Sequence, residues 1–430
     1  MLSKGGKPRM ELTEIELPCG ECSITARIPT KNIVCVLTRQ DARGLANERE
    51  AITQSLRSPI SSPPLRDLLK PSDKVVVLAT DNTRPCPDDR ILPPLLAELE
   101  SVVPREKITI IVALGLHPPL DEAELSRKLG RDIVASYNIL NHDVNDTVYI
   151  GTTSRGTPVD INRRVIEADF RISTGFIEPH FFAGFSGGRK SIAPGVFSAR
   201  SAYHNHGYQM IEHPKVRAGI LHGNPIHEDM IEQAQMARLN FIVNVLLNKK
   251  NEITHVVAGH PFKAHEEGCR IEKKIAGVKV PQRADITITT NSGAPLDLDL
   301  YQTCKGIDTA AQITRDGGII IVASLCSAGI GPQAFLELHR SVASPKEVIR
   351  KIKQEEPIGV QWENQILART QLKHDIYLVS SLDDRTVRDM MMTPVGTVKE
   401  GLERALSVLG DNAEIIVIPE GPLILPLLEE

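Results

Sequence analysis

Aromatic side chains are scarce in this chain of 430 residues, where Phe, Trp and Tyr together make up 4 % of the sequence. Few aromatic rings leave little surface on which the bases of a single-stranded nucleic acid could stack. Basic residues are not in excess either, because the formal net charge is −4 and the charges are spread along the chain. Proteins that hold a nucleic-acid backbone carry a basic patch. We therefore expect no nucleic-acid partner.

Long apolar runs are also missing. No stretch approaches the roughly 20 residues that a membrane-spanning helix needs, and residues 1–18 lack the apolar core of a signal peptide. The seven cysteines, an odd number scattered over the chain, are typical of reduced thiols and not of a disulfide framework. These features predict a cytoplasmic protein without a membrane partner.

Two cysteines, Cys19 and Cys22, form a C-x-x-C pair. No second pair completes a zinc site. We interpret the pair as the ends of a turn between two N-terminal strands, with a redox or metal-binding use as the alternative.

What the sequence does contain is a repeated alternation of short β-branched runs and helix-like patterns. Continuous apolar strands that alternate with helices are typical of parallel sheets covered on both faces, and the length exceeds that of a single core. We predict an α/β protein with two α/β domains, residues 1–265 and 266–430, mainly parallel sheets, and an active site in the cleft between the domains. The predicted strands are residues 74–80, 108–114, 170–174, 285–289, 318–324, 375–379 and 414–418.

The most informative segment runs from His180 to Pro194 and combines a histidine, the glycines Gly184, Gly187 and Gly188, and Lys190. Glycines let a backbone approach a ligand closely, and a lysine can neutralise a phosphate or form a covalent bond. The spacing partly fits a phosphate-binding P-loop, but Arg189 replaces its second glycine, and the following Pro-Gly would disrupt the helix that a P-loop requires. A structural glycine turn with a solvated lysine is the alternative.

Two further motifs follow predicted strands, where α/β proteins bind ligands. Asp81 and Arg84 come directly after the strand 74–80, and a guanidinium suits a carboxylate. His117 follows the strand 108–114 on a stiff Gly-to-Pro loop, a suitable place for a general base. Together with His180 it could face one pocket, one imidazole on each side of a substrate carbon. A capped turn and surface histidines are the corresponding structural interpretations.

Other histidines are harder to assign. His204 and His206 flank an asparagine, and in an extended segment at most one of them faces a site. His255, His260 and His265 are spaced by five, which spreads them around a helix, so we expect all three at the surface.

In the second domain, Tyr301, Gln302 and Lys305 share one helical turn that could close over an anionic substrate. The alternative is a helix start capped by Asp297 or Asp299. Trp362, the single tryptophan, is by itself a core residue more often than a site residue.

In order along the chain, these motifs resemble the nickel-dependent lactate racemase family of 2-hydroxy-acid racemases and epimerases. The family pattern is D-x-T-R-P, G-x-H-x-P, H-x(3)-G-[FY]-S-G-G-x-K followed by P-G, N-H, and Y-Q-x-x-K. These motifs begin here at Asp81, Gly115, His180, Asn205 and Tyr301. The resemblance covers nearly all of the chain from about residue 70, and five motifs in the right order are far more specific than any one of them.

The resemblance implies a nickel-pincer nucleotide, a pyridinium mononucleotide that is attached through a thioamide to Lys190 and holds nickel through two sulfurs and a ring carbon. It implies that His206 is the fourth nickel ligand and that His117 and His180 are the acid/base pair. Hydride would leave the substrate α-carbon and return on the other face. The remaining implied contacts are cofactor binding by Asp81, Ser186, Gly187 and Gly188, and substrate binding by Arg84, Tyr301, Gln302, Lys305 and Trp362.

The implied partners are a small 2-hydroxy acid, lactate or a related substrate, and the proteins that synthesise the cofactor. Two other hypotheses remain open at this stage. Lys190 could form a Schiff base to another carbonyl cofactor in a lyase or isomerase, or the chain could be a binding protein without catalysis. The substrate and the oligomeric state do not follow from the sequence.

Overall fold

A computed structural model describes residues 11–429. The first ten residues of the segment considered above for a signal peptide therefore lie outside the described part. The chain divides into two compact units: a central unit of residues 40–275, and an N/C unit that combines residues 11–39 with residues 276–429.

The strands form the sheets that position the motifs. In chain order they are β1 (Leu12–Cys19), β2 (Cys22–Pro29), β3 (Ile33–Val36), β4 (Val75–Thr80), β5 (Ile108–Ala113), β6 (Asn138–Asn141), β7 (Thr147–Thr152), β8 (Pro158–Asn162), β9 (Phe170–Phe176), β10 (Pro179–His180), β11 (Gly184–Phe185), β12 (Phe241–Leu247), β13 (Ile253–Gly259), β14 (Gly277–Val280), β15 (Ala284–Thr290), β16 (Thr314–Ala323), β17 (Asp375–Val379), β18 (Thr393–Pro394), β19 (Ile415–Ile418) and β20 (Leu425–Leu428).

The helices alternate with these strands over most of the chain. They are α1 (Glu48–Arg57), α2 (Asp88–Glu100), α3 (Glu122–Leu129), α4 (Arg131–Ser136), α5 (Arg163–Glu167), α6 (Ala199–Asn205), α7 (Tyr208–Glu212), α8 (Pro225–Met236), α9 (Lys263–Ala276), α10 (Leu300–Ala311), α11 (Gln333–Arg340), α12 (Pro345–Gln354), α13 (Gln361–Gln371), α14 (Asp384–Asp389) and α15 (Val398–Leu409). None of the helices within residues 11–429 combines the length and the apolar character that crossing a membrane requires.

The sheet of the central unit has the strand order β13-β12-β9-β4-β5-β6. All neighbours pair in parallel except β12 and β13. The chain builds β4, β5 and β6 outward in one direction, and then returns to the other side of β4 to build β9, β12 and β13. The direction of building thus reverses between β4 and β9, and open α/β sheets bind ligands at such a point, beyond the carboxyl ends of the strands.

The sheet of the N/C unit has the order β18-β17-β16-β15-β19-β3 and is parallel throughout. Both six-stranded sheets are therefore wholly or mainly parallel, which confirms the predicted α/β class. The β-branched runs form these strands because both faces of each sheet are buried. In the central unit, for example, Ile52 of α1, Leu95 of α2 and Val77 of β4 belong to one buried cluster.

The units differ from the predicted domains at both ends of the central unit. The strand β3, only four residues long, pairs with β19, so residues 11–39 belong to the N/C unit and not to a domain of residues 1–265. The helix α9 runs across the predicted boundary, and residues up to 275 belong to the central unit, so the boundary after residue 265 is also displaced. A short edge strand is hard to recognise in sequence because it carries too few residues for a periodic pattern.

Candidate active site

Three motifs lie at one edge of the central sheet. Asp81 directly follows β4, and His117 and His180 follow β5 and β9 within a few residues. Because β9, β4 and β5 are adjacent and parallel, their carboxyl ends meet at the same edge. His117 and His180 thus follow the two strands that flank the strand leading to Asp81 and Arg84.

Asp81 and His117 form a hydrogen-bonded pair. The His117 Nδ1 lies 2.5 Å from the Asp81 Oδ2, and Thr83 Oγ1 donates to the other carboxylate oxygen at 2.7 Å. Burial raises the pKa of the Asp81 carboxyl, but His117, Arg84 and Thr83 together outweigh burial and leave this pKa below its ordinary value. Asp81 is 3 % exposed, whereas the His117 side chain is 43 % exposed. A buried carboxylate thus orients an imidazole that solvent and ligands can reach.

The backbone of the loop that carries Arg84 is fixed by a lysine whose side chain is largely buried. Lys128 of α3 donates to the carbonyl oxygens of Arg84 at 2.9 Å and Cys86 at 2.8 Å, and it pairs with Asp88 at 3.2 Å. The helix α3 itself begins with a capping box between Asp121 and Glu124. The Arg84 backbone is therefore held independently of its side chain.

The loop of His117 also contacts the segment beyond Lys190. Gly115, with φ of +58°, donates its N–H to the carbonyl of Gly195 at 2.9 Å. A Cβ at this position would lie 3.2 Å from the Pro194 carbonyl oxygen. The motifs that follow β5 and β9 are consequently packed against each other.

His180 is buried and belongs to the short antiparallel pair β10–β11, in which it lies opposite Gly184. The N–H of Ala183 donates to the His180 Nδ1 at 3.3 Å. Gly184 has φ of +79°, and a Cβ there would overlap the carbonyl oxygen of Ile220. Glycine is therefore required at the position that faces the histidine.

Three residues that the sequence motifs singled out surround the ring of Phe182. The centroid of this ring lies 4.5 Å from that of His180 and 4.9 Å from that of His206, both edge to face, and 5.5 Å from the Lys190 Nζ. The central unit thus brings His180, Lys190 and His206 together around one phenyl group.

His206 is a buried, neutral imidazole. Burial, reinforced by the ammonium group of Lys190, lowers the pKa of His206 to about 3. His204 is bonded through Nδ1 to the Thr157 hydroxyl at 2.8 Å, so it is His206 that packs against Phe182. The two histidines lie at the end of the helix α6 and not in an extended segment as expected.

The glycine turn before Lys190 is packed against the protein's own atoms. Gly188 donates its N–H to the Asn244 Oδ1 at 2.7 Å, and the Ser186 hydroxyl donates to the Phe176 carbonyl at 2.8 Å. A Cβ at Gly187 would lie 2.7 Å from the same Asn244 oxygen. The Gly188 N–H is thus committed to Asn244 and is not available to a phosphate. Residues 188–191 form a single 3-10 turn and not a helix, which excludes a P-loop.

Sequence reasoning missed the residues that support this turn. Arg189 is 1 % exposed and donates to the carbonyl oxygens of Gly187 at 3.2 Å and Ala183 at 2.6 Å. Its guanidinium also contacts the His265 Nε2 at 3.0 Å. Burial lowers the pKa of Arg189 to about 10 and that of His265 to about 3.

The expectation that His255, His260 and His265 are all surface residues is therefore wrong. His260 is exposed and His255 half-buried on β13, but His265 is buried in α9. A signal was present in the sequence: His265 and Cys269 are four residues apart, on the same helix face as the buried Ala264 and Gly268.

The N/C unit contains the other cluster of motif residues. Tyr301, Gln302 and Lys305 lie in the first turns of α10, whose N-terminus is capped by Asp299, one of the two predicted caps. The Lys305 Nζ donates to the Gln302 Oε1 at 2.5 Å. Trp362, half-buried on α13, donates from Nε1 to the Tyr301 hydroxyl at 3.0 Å. Burial, together with Glu363, raises the pKa of Tyr301 well above its ordinary value, so the phenol stays protonated.

Within residues 11–429, no group of three or more His, Cys, Asp and Glu side chains could hold a metal ion. A metal bound beside His206 would therefore need most of its ligands from a source other than these side chains.

Comparison with known proteins gives matches over both halves of the chain. Residues 19–219 match the lactate racemase N-terminal domain, and residues 279–425 match the lactate racemase C-terminal domain. The lactate racemases of Thermoanaerobacterium thermosaccharolyticum and Lactiplantibacillus plantarum are 37 % and 38 % identical to the chain over 419 residues. Each alignment covers 95 % of this chain, and 98 % and 99 % of the respective relative.

Solved structures also match this chain in fold. The lactate racemase apoprotein of T. thermosaccharolyticum superposes with a TM-score of 0.91 at 36 % identity, covering 97 % of this chain and all of that structure. A Thermotoga maritima protein, 18 % identical, has a TM-score of 0.68 and shares the fold. With both domains matched and the curated relatives covered almost end to end, this chain belongs to the lactate racemase family and is thereby an enzyme of the isomerase class.

Proposed function

We propose that this enzyme racemises lactate or a closely related 2-hydroxy acid, with a nickel-pincer nucleotide attached to Lys190 and with His117 and His180 as the acid/base pair. The strongest support is the topology of the central sheet. Arg84 follows β4, and the two imidazoles follow the strands on either side of it. A carboxylate held by Arg84 would place the substrate between two proton-transfer groups, which inversion in both directions requires.

The side chains near Lys190 fit the proposed cofactor. Because the pKa of His206 is about 3, its imidazole is neutral at physiological pH. A neutral imidazole can bind a metal through one ring nitrogen. A single protein ligand suits a group that brings its own metal donors. Lys190, half-buried over the ring of Phe182, offers the amine for covalent attachment. The chemistry that this cofactor supplies when bound is reversible acceptance of hydride from the substrate α-carbon.

His117 is suited to take the proton of the substrate hydroxyl. Asp81 is ionised at physiological pH because its pKa is lowered, so the Nδ1 of His117 is the donor in their hydrogen bond. We assign the lone pair of the neutral ring to Nε2 on this basis. Asp81 then stabilises the positive charge that the ring acquires when Nε2 accepts a proton.

His180 rests in the opposite tautomer. Its Nδ1 accepts the Ala183 N–H, so in the neutral ring the proton is assigned to Nε2. His180 can thus donate a hydrogen bond to a substrate oxygen while His117 accepts a proton, and the reverse reaction exchanges these tasks. The aromatic packing of Phe181 and Phe182 around His180 keeps water from the ring.

The other site residues receive narrower roles. Arg84 binds the substrate carboxylate, and we propose the same function, on the family pattern, for the α10 cluster of Tyr301, Gln302 and Lys305 together with Trp362. Ser186, Gly187 and Gly188 act on the cofactor by fixing the shape of the turn, because Ser186 and Gly188 bond within the protein. Attachment to Lys190 makes the cofactor's biosynthetic proteins necessary partners.

An isotope experiment tests the reaction. Holoenzyme, made in cells that synthesise the cofactor, is incubated in ordinary water with L-lactate deuterated at the α-carbon. The proposal expects D-lactate that retains deuterium, because hydride returns to the carbon it left. Loss of deuterium to solvent would show proton abstraction and overturn the hydride mechanism. Absence of D-lactate would exclude lactate as the substrate, and absence of the opposite enantiomer from every related 2-hydroxy acid tested in the same way would overturn the substrate class.

The mass of the Lys190 peptide tests the cofactor separately. We expect this peptide to be heavier by the nucleotide and the protein to contain nickel. Unmodified Lys190 in folded protein from the same cells would contradict the proposal. An adduct that borohydride fixes, in protein without metal, would instead favour a Schiff-base enzyme.

A further inference from the structure

The cysteine pair near the N-terminus is a feature that the proposed reaction does not use. Cys19 ends β1 and Cys22 begins β2, and the two residues pair directly across the antiparallel hairpin. This confirms the predicted turn. Gly20 takes φ of +60° at the first central position, which a two-residue type II′ turn requires. Cys22 is exposed and Cys19 is half-buried, and both are free thiols.

The turn between these cysteines is bound to a loop of the same unit. The Gly20 N–H donates to the Asp297 Oδ2 at 2.6 Å, and the Ala294 N–H donates to the Gly20 carbonyl at 2.8 Å. Gly293, with φ of +69°, lies so close that a Cβ there would be 2.9 Å from the Gly20 carbonyl oxygen. The position of the turn and the position of this loop are therefore coupled.

The loop leads directly into α10. The Asp297 Oδ2 also accepts the Leu325 N–H at 3.1 Å, and the Asp297 carbonyl accepts the Cys326 N–H at 2.9 Å. Two residues later, Asp299 caps the helix that begins with the Tyr301 cluster. Asp297 thus joins the cysteine turn, the end of β16 and the start of α10.

We propose that Cys19 and Cys22 are a reversible thiol–disulfide site whose oxidation stiffens the turn and, through Asp297, the loop that precedes α10. Directly paired residues of an antiparallel hairpin have Cα atoms about 4.5 to 5.5 Å apart and Cβ atoms on the same face. A disulfide needs Cα atoms about 4.4 to 6.8 Å apart. The Cβ atoms of such a pair are about 4.5 to 5.5 Å apart and those of a disulfide about 3.5 to 4.5 Å, so the bond needs a local approach of the two side chains and leaves the hairpin pairing in place.

The exchange requires a disulfide of low molecular weight as the oxidant, such as oxidised glutathione. The exposed Cys22 thiolate attacks one sulfur of the oxidant, releases one thiolate and forms a mixed disulfide. Cys19, after losing its proton to solvent, attacks the Cys22 sulfur and releases the second thiol. Two protein thiols are oxidised and one small disulfide is reduced to two thiols. Burial, Asp297 and Cys22 raise the pKa of Cys19, which assigns the first attack to Cys22.

Mass spectrometry of the full chain tests the site. We expect incubation with excess oxidised glutathione to remove two hydrogens and to link Cys19 to Cys22 in one peptide, and dithiothreitol to reverse both changes. Cys22→Ser is expected to abolish the linkage. Cys35→Ser is the matched control, since Cys35 is half-buried on β3 opposite Ile416 and is expected to leave the linkage intact.

Two outcomes would overturn the site itself. One is a stable glutathione adduct on Cys22 with Cys19 still reduced, which would show that the pair cannot close. The other is a linkage between the buried Cys304 and Cys326 in place of the hairpin pair.

Amide exchange tests the coupling to the loop and depends on no enzymatic activity. Oxidation is expected to slow the exchange of the Gly20 and Ala294 amides at least about threefold, because both form hydrogen bonds between the turn and the loop. Unchanged exchange at Ala294 in the oxidised chain would show that the disulfide does not reach the loop. Since both readouts are independent of catalysis, a failed racemase assay would leave this inference standing.

Discussion

Two neighbouring regions of the central unit hold their proposed catalytic groups in different ways. The loop after β5 holds His117 by one side-chain interaction, with the carboxylate of Asp81, and leaves the ring exposed. The segment after β9 holds His180 and Lys190 by its backbone, through the pair β10–β11, positive-φ glycines and the buried Arg189.

This difference matches the tasks that we propose for His117 and Lys190, while His180, the other proposed acid/base group, shares the backbone-held segment with Lys190. A group that gains and loses a proton benefits from a charged partner that stabilises the charged ring. A covalent anchor needs a fixed position instead, and packed glycines and carbonyl bonds supply it without titrating near neutral pH. Substitutions in the two regions should therefore fail in different ways.

The largest effect is expected from Lys190→Ala in the backbone-held segment. Removing the amine should abolish the mass adduct and lower racemisation by at least ~10³-fold, because the cofactor loses its covalent attachment. Mass spectrometry and chiral chromatography of the same preparation measure the two effects. Lys190→Arg is the control that keeps the charge over Phe182 and removes the nucleophile. A variant that retained full activity without an adduct would show that racemisation does not need covalent attachment at Lys190.

Asp81→Asn should have the next largest effect, now in the side-chain-held loop. An amide cannot stabilise the protonated ring and can impose the wrong tautomer on His117, so we expect kcat to fall by ~10²- to 10⁴-fold. The Lys190 adduct and the nickel content should stay at the level of the enzyme with Asp81 in place. Because the two enantiomers of the substrate have equal free energy, kcat/KM must fall equally in both directions, which makes the two assays mutual checks. Loss of the adduct would show that attachment at Lys190 depends on Asp81.

Glycine substitutions compare the packing of the two regions. Gly184→Ala should destabilise the protein by roughly 3 kcal/mol or more, because its Cβ would overlap the Ile220 carbonyl at a positive φ. Gly115→Ala, where the nearest carbonyl oxygen would be 3.2 Å away, should cost roughly 2 kcal/mol. Gly317 has φ of +80°, and a Cβ added there would have no described atom within 4 Å apart from its chain neighbours. Gly317→Ala should therefore cost only the backbone strain, roughly 1 kcal/mol. Urea unfolding measures all three, and equal costs at Gly184 and Gly317 would refute the packing argument.

The sequence was sufficient to predict seven of the twelve strands in the two six-stranded sheets, because their β-branched runs are continuous and buried on both faces. The strand over residues 375–379 is observed at those bounds, while β16 begins four residues earlier than predicted, where Thr314 pairs with Ala284 across an irregular register. The site residues at the ends of β4, β5 and β9 followed from the rule that parallel strands end at one edge. All of these inferences depend on local patterns.

What could not be predicted depends on contacts between distant parts of the chain. The assignment of residues 11–39 to the N/C unit rests on β3 pairing with β19, more than 370 residues later. Arg189 looked like a variable position in the motif, and only its contacts with Ala183 and His265 reveal a buried support. A charged side chain is expected at the surface unless the tertiary structure supplies its hydrogen-bond partners.

A further expected effect is a difference in the pH range over which each region loses stability. His265 has an ordinary pKa of 6.5, lowered to about 3 by burial and Arg189, so below about pH 6.5 the unfolded chain binds a proton that the folded chain does not. Stability must then fall as the pH decreases from about 6.5 towards 3, by up to about 1.4 kcal/mol per pH unit for this group. His265→Gln should reduce that slope in urea unfolding between about pH 4.5 and 7.

Asp81 supplies the contrast, because its carboxyl has an ordinary pKa of 3.8 that is lowered in the folded chain. Its contribution is complete above the ordinary value and is lost only as the pH falls through the lower, folded value. Asp81→Asn should therefore leave the contribution of His265 to the slope between about pH 4.5 and 7 unchanged, although the variant is expected to be catalytically impaired. If His265→Gln also left this slope unchanged, the support of the glycine turn would not depend on a neutral His265. The contrast between the side-chain-held loop and the backbone-held segment would then rest on Arg189 and the glycines.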